Sequence, residues 1–244
     1  MYKKGFTLAE VIITLGIIGI VAVLVIAKSV NTYIEKQHVV KLKKAYQNLS
    51  VAYNMSFSEN GLIMDYISSK DENPGWYSTP SQQAFRDYFM NYYKNIRKGG
   101  LKYNTEGRFY SDKNKSTIIN LFESNSYSSF ITTDGTLYVF RYLGGSSGAW
   151  ADRQNLGDKG MMGFIFVYFD YKPSKISQLG KDVFYFSVAK SEPKVIPGGA
   201  TTMNKDPLTC YSALSACTQW ILSNDNMDYW HCDDLSWNGK RSCE

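Results

Sequence analysis

The sequence predicts an α+β chain: a long, partly transmembrane N-terminal helix packed on a small antiparallel β-sheet domain, with a disulfide-stapled C-terminal region. Three observations predict it. An apolar run near the N-terminus continues, without Pro or Gly, into a segment of helical periodicity. Later segments rich in aromatic and β-branched residues flank an Asp-Gly turn signal. All four cysteines, Cys210, Cys217, Cys232 and Cys243, stand in the last thirty-five residues.

Phe6 to Ala27 is a run of twenty-two residues with one charge, Glu10. As a helix rising 1.5 Å per residue it spans about 33 Å, enough for a bilayer core. A plain membrane anchor fits this run. So does a signal peptide cut by the general signal peptidase, with Val25-Ile26-Ala27 as a passable cleavage site. Neither explains Glu10. A carboxylate near the centre of an apolar span costs about 2.5–3.5 kcal/mol. Glu10 is shallower, one turn from the start, but still calls for a cationic partner. The nearby cations are Lys3, Lys4, or an amine exposed by cleavage just before Phe6.

Lys3-Lys4-Gly5-Phe6-Thr7-Leu8-Ala9-Glu10, followed by Val11 to Gly19, resembles the N-terminus of type IV pilins and pseudopilins. The resemblance covers about the first thirty residues. It implies a basic leader removed by a prepilin peptidase between Gly5 and Phe6, N-methylation of Phe6, and Glu10 as the assembly carboxylate at the fifth mature position. Implied partners are other pilin-like subunits, the prepilin peptidase, the inner-membrane assembly machinery, and membrane lipid before assembly.

No helix stop follows the apolar run. From Lys28 to Glu59 there is neither Pro nor Gly, and Val39, Leu42, Tyr46, Leu49 and Tyr53 form one apolar stripe. One helix is therefore expected from about Phe6 to Ser58, ended by Asn60-Gly61. Asp71 to Ser81, with Pro74, Gly75 and Pro80, reads as a loop. Ser81 is placed to cap a short helix bearing Phe85, Tyr88, Phe89, Tyr92 and Ile96 and ending at Gly99-Gly100. Tyr127–Thr133 and Thr136–Tyr142 flank Asp134-Gly135, a two-residue hairpin signal. Gly144 to Gly160 reads as an exposed loop, and Phe164–Tyr171 and Val183–Ala189 complete the sheet. Gly180 to Phe184 also resembles a stretch of bacterial pilin-like proteins, which carry an Asp-x-Asn-Gly turn just before it. This chain has Asp170-Tyr171-Lys172-Pro173 there instead, so no turn or ion site is carried over.

The cysteines are even in number and clustered, which reads as two disulfides closing C-terminal loops in an exported chain, with three connectivities open. Zinc is disfavoured because the paired short spacings of structural zinc sites are missing. His38 and His231 form no assignable nucleophile–base pair. Asp225, Asp228, Asp233 and Asp234 lack the spaced ladder of a calcium loop. Trp220, Tyr229, Trp230 and Trp237 are expected to pack around the disulfides rather than to form an adhesive patch. The sequence thus calls for no catalytic residues, metal or cofactor, and an enzyme is not expected. The net charge of +5 includes Lys3 and Lys4 of the leader, which leaves +3. That excess implies no nucleic acid, which stays an open partner without a supporting residue pattern.

The lysines after the span, Lys28, Lys36, Lys41, Lys43 and Lys44, outnumber the two before it and by count alone would hold the C-terminal side inside. Long translocated domains override that rule, and disulfides need an oxidising compartment. The expected organisation is a leader at 1–5, a transmembrane and assembly half-helix at 6–27, an amphipathic half at 28–60, and an extracytoplasmic domain at 61–244 with a cysteine-rich end at 205–244. Such a chain is a single-pass inner-membrane protein that becomes a subunit, major or minor, of a type IV pilus-like filament, periplasmic or on the cell surface. The alternatives are a pseudopilin of a type II-like secretion system, and a tip subunit binding DNA or a surface ligand.

Overall fold

The computed structural model describes residues 5, 7–75, 77–97, 107–120, 127–144, 161–172, 174–190, 192–199 and 217–243, with backbone only at 24, 27 and 28. The chain divides into two compact units, Met1–Gln37 and His38–Glu244.

Helix α1 spans Leu8–Asn60. It starts two residues later and ends two residues later than expected. Gly61 stops it as anticipated, with a φ of +71° and an N–H donated to Phe57 O at 3.0 Å. In the second unit the predicted stripe is the buried face: Val39, Leu42, Leu49 and Tyr53 are buried and Tyr46 packs against them. Each such side chain contributes about 1.5–3 kcal/mol on burial.

Two short helices follow. Helix α2, Ile63–Lys70, was not expected; Ile63 and Ile67, one turn apart, are its buried face. Helix α3 spans Thr79–Met90, with Ser78 at its N-cap. Ser81 therefore lies inside the helix instead of capping it. Pro80, which has no N–H to satisfy, sits in the first turn and moves the start upstream. Ser81 and Ser78 instead give their hydroxyls to Asp71. The helix also stops short of Tyr92 and Ile96. There the chain turns so that Ile96 bridges to Thr132, with Arg97 N donating to Ile131 O at 2.8 Å.

The sheet architecture is richer than expected. Strands β3 (Ser128–Ile131), β4 (Leu137–Tyr142), β5 (Met161–Tyr168), β7 (Val183–Ala189) and β8 (Val195–Pro197) form an antiparallel sheet in the order β3-β4-β5-β7-β8. A second sheet joins β2 (Ile118–Asn120), β1 (Arg108–Tyr110) and β6 (Ser177–Gln178), with β1 parallel to β6. The Asp134-Gly135 hairpin turns through three residues, not two. Thr132 N bonds Thr136 O and Gly135, at φ +81°, takes the left-handed position. Asp134 secures this loop by accepting from the Thr132 hydroxyl at 2.6 Å.

Both faces of the five-stranded sheet are buried. On β4, Tyr138, Phe140 and Tyr142 face the core shared with α1, α2 and α3, whereas Leu137 and Val139 face a second core that includes Phe109 of β1. Period-two alternation thus sorts apolar residues between two cores, and the strands read as almost continuously hydrophobic. Gln82 of α3 ties helix to sheet: its amide donates to Tyr142 O at 2.9 Å and accepts from Tyr142 N at 2.7 Å, so both polar ends are satisfied inside the core.

At the C-terminus, helix α4 (Cys217–Asn224) and a 3₁₀ turn (Asp228–Trp230) precede the Cys232–Cys243 disulfide. Trp220, Tyr229 and Trp237 are buried in the main core, as expected, and Trp230 packs against it partly buried. Cys210 and the loops at 99–100 and 145–160 lie outside the described residues.

The approach of α3 to the sheet requires glycine at 163. A Cβ there would lie 2.2 Å from Arg141 O and 2.8 Å from Phe85 Cζ. Gly163→Ala is expected to cost about 1–3 kcal/mol. In denaturant titrations its midpoint should fall with an unchanged slope; an unchanged midpoint would contradict this packing.

Candidate processing and assembly segment

Thr7 and Glu10 form a capping box at the start of α1. Thr7 N donates to Glu10 Oε2 at 2.8 Å and its hydroxyl to the same oxygen at 2.7 Å; Glu10 N reaches back to Thr7 Oγ1 at 3.3 Å. A Thr-x-x-Glu pair of this kind satisfies N–H groups that a helix start leaves unbonded. The Thr-x-x-Glu spacing that signals this cap is present in the sequence at Thr7 and Glu10. Both contacts from Thr7 fall on Oε2, and among the described residues no hydrogen bond reaches Oε1. Gly5 is exposed, and a Cβ on it would meet nothing within 4 Å. Phe6, the other residue of the expected cleavage site, lies outside the described residues.

The polar side chains beyond Glu10 are satisfied within the helix. Thr14 gives its hydroxyl to Glu10 O and Val11 O, both at 2.9 Å, and Ser29 bonds Val25 O at 3.0 Å. Every described Leu, Ile and Val from Leu8 to Ile26 is exposed. Among the described residues no helical stretch is long and apolar enough to cross a membrane. The stretch with continuously described side chains, Leu8 to Val23, is sixteen residues, or about 24 Å of helix. The sequence run of twenty-two includes Phe6, Leu24 and Ala27, whose side chains fall outside the described set.

The second unit begins with a polar contact that the sequence did not reveal. His38 is 4% exposed. Its Nδ1 lies 2.8 Å from Lys181 O and its Nε2 3.2 Å from Asp170 Oδ2, so both ring nitrogens face acceptors. Lys41 donates to Asp170 Oδ1 at 2.7 Å. The ring of Phe169 stands 5.4 Å from the imidazole. These contacts fasten α1 to the turn after β5 and to the Gly180–Asp182 turn before β7. The only hint in the sequence is the position of His38 beside Val39, at the head of the buried stripe.

The C-terminal acids are used separately. Asp225 pairs with Lys43, Asp233 with Lys113 at 3.3 Å, and Asp234 with Lys240 at 2.8 Å. Asp228 Oδ2 accepts from Cys243 N at 2.9 Å and so secures the disulfide loop. No cluster of His, Cys, Asp or Glu among the described residues could hold a metal ion. Cys217 is buried at the start of α4, while His231 is exposed beyond the 3₁₀ turn.

Partial burial tends to raise the carboxyl of Asp170, but hydrogen bonds and charge from Lys41 and His38 outweigh it and hold the group below the usual carboxylate range. A depressed folded value stabilises the fold above the unfolded value, near 3.9, and the contribution is lost as pH falls through the folded one. The Tm difference between wild type and Asp170→Asn should therefore be largest near neutral pH and shrink below about pH 4. A difference independent of pH would show that the clasp does not act through charge.

No curated protein and no solved structure matches the chain. One family model does, that of the prokaryotic N-terminal methylation motif, over residues 1–26. That match takes in Gly5, Phe6, the capping box and the exposed apolar half of α1, and with it the chain carries the signature of type IV pilins and pseudopilins.

Proposed function

We propose that the chain is a structural subunit of a type IV pilus-like filament, cut between Gly5 and Phe6, N-methylated on Phe6, and assembled through the first half of α1. The observation that carries this is the methylation motif running directly into a helix whose described Leu, Ile and Val side chains are all exposed from Leu8 to Ile26. Such a surface is unfavourable in water. Lipid covers it before assembly, and the helices of neighbouring subunits cover it afterwards. The 53-residue α1 supplies both the covered segment and the stripe that is buried within the second unit. The Cys232–Cys243 bridge supports an oxidising, extracytoplasmic location for that unit.

A pseudopilin of a secretion machine shares all these features; recovery of the protein in bulk from sheared surface filaments would favour the pilus. A ligand-binding tip gains less support, because Trp220, Tyr229 and Trp237 are core residues and are not available as an adhesive aromatic patch. With Cys232 and Cys243 joined, Cys210 and Cys217 remain as the second pair. The unfolded, unreduced exported chain should accordingly react with no thiol reagent, and two reactive thiols per chain would refute that pairing.

In this arrangement Glu10 does two things with two oxygens. Oε2 closes the helix start, and Oε1 receives the amine of Phe6 from a neighbouring subunit. Buried together, the opposite charges offset a cost that each alone would impose, and any other axial stagger leaves both unpaired. Three substitutions separate the roles. Thr7→Ala removes the cap, at about 0.5–2 kcal/mol of helix stability, and should still enter filaments. Glu10→Gln keeps an acceptor for Thr7 but loses the charge, and should insert and be cleaved yet incorporate poorly. Glu10→Ala should behave like Glu10→Gln. If Thr7→Ala fails as badly as Glu10→Ala while Glu10→Gln assembles normally, the carboxylate matters only as a cap.

A further inference from the structure

The chain contains three Asn-x-Ser/Thr acceptor sequences: Asn48-Leu49-Ser50, Asn54-Met55-Ser56 and Asn114-Lys115-Ser116. The structure separates them. The first two lie inside α1, where side chains two positions apart point to different sides and cannot be presented together. Leu49 and Ser56 are fully buried, and Asn54 Nδ2 is bound to Ser50 O at 2.8 Å. The third lies in the loop that joins β1 to β2. Asn114, Lys115 and Ser116 are all exposed, and the Asn114 carboxamide makes no hydrogen bond among the described residues.

The loop around Asn114 is an ordered turn that projects the acceptor. Ser111 N bonds Thr117 O at 3.0 Å, Lys115 N bonds Asp112 O at 3.1 Å, and Lys115 takes the left-handed conformation at φ +57°. Asp112 gathers the backbone N–H groups of Ser116 at 2.9 Å and Thr117 at 2.7 Å. Asp112 also makes the sequence acid-x-Asn-x-Ser, with a carboxylate two residues before the acceptor that the other two sites lack, since Tyr46 and Ala52 stand there.

We infer that Asn114 is a modification site, the acceptor of an N-linked oligosaccharide delivered from a polyprenyl-diphosphate carrier by a membrane transferase. The Asn114 amide nitrogen forms a bond to C1 of the first sugar. The bond from C1 to the diphosphate oxygen breaks, its electron pair leaves with the polyprenyl diphosphate, and the amide gives up one proton. No oxidant or reductant is consumed. A glycan here displaces no buried contact. It stands beside β2, which pairs only with β1 among the described strands and leaves Ile118 half exposed. A bulky hydrated group at that place shields an open strand edge from pairing with another chain.

This inference rests on the extracytoplasmic placement proposed above. The test is mass spectrometry of the full-length protein from membranes of the cells that make it, reading the chymotryptic peptide 111–121 and the N-terminus of the same sample. A sugar mass addition fragmenting to Asn114 is expected in wild type, lost completely in Ser116→Ala and kept in Ser116→Thr. Ser116 is exposed and gives Asp112 its backbone N–H, so neither variant removes that hydrogen bond. Unmodified Asn114 on chains that begin at Phe6 would overturn the inference and leave the filament function standing. Modified Asn114 on chains that retain Met1 would uphold it and contradict the filament function. An addition that persists in Ser116→Ala, or that maps to Ser116 or Thr117, also overturns it.

Discussion

Everything else in the molecule depends on a change of hydrophobic pattern along one helix. Up to Ile26 the apolar side chains of α1 lie on all sides, and every described Leu, Ile and Val among them is exposed. From Val39 onward, Val39, Leu42, Leu49 and Tyr53 form one buried stripe with Tyr46 packed against it, and Val40, Val51 and Met55 stand exposed outside it. The first pattern needs an external apolar partner, because no face is left polar. The second needs only the sheet, α2 and α3. The switch falls where the two units meet in sequence, and there His38 is held by Lys181 O and Asp170. A buried histidine with both nitrogens engaged is costly to misplace, so these contacts fix the register of α1 against the turns around β5 and β7.

Much of this was legible because the signals were long. Thirty-two residues from Lys28 to Glu59 without Pro or Gly, with a regular stripe, leave little besides a helix, and Asn60-Gly61 marks its end. Asp134-Gly135 located the hairpin, although the sequence misjudged the loop by one residue because Thr132 and Thr136 bond across it. The second sheet was not legible. Its strands are two or three residues long, too short to show alternation, and β1 finds its parallel partner β6 nearly seventy residues away. Helix α2 offered only Ile63 and Ile67, a single turn of period. For α3, the first-turn Pro80 outweighed the Ser81 capping signal.

The candidate segment was legible as a motif but not as a mechanism. Gly5, Phe6 and Glu10 stand at recognisable spacing. Thr7 and Glu10 also make a capping box, so the carboxylate whose charge stands out in the apolar run is at the same time the helix cap. The two roles are compatible because a carboxylate has two oxygens and several lone pairs. Within the subunit Thr7 satisfies one oxygen, and the proposed assembly would bring an amine to the other. At the opposite end of the chain, Asp228 holds the backbone of Cys243 while Trp220, Tyr229 and Trp237 fill the core. The disulfide region is thereby built into the second unit and is not an appended loop.

The central claim is that the mature chain begins at a methylated amine on Phe6, four residues before Glu10. Intact-mass and N-terminal analysis of the protein from the membrane fraction tests it most directly. The account predicts a chain that starts at Phe6, lacks the five leader residues and carries one added methyl group. A retained Met1, or a start at Lys28 after general signal-peptidase cleavage, would contradict it.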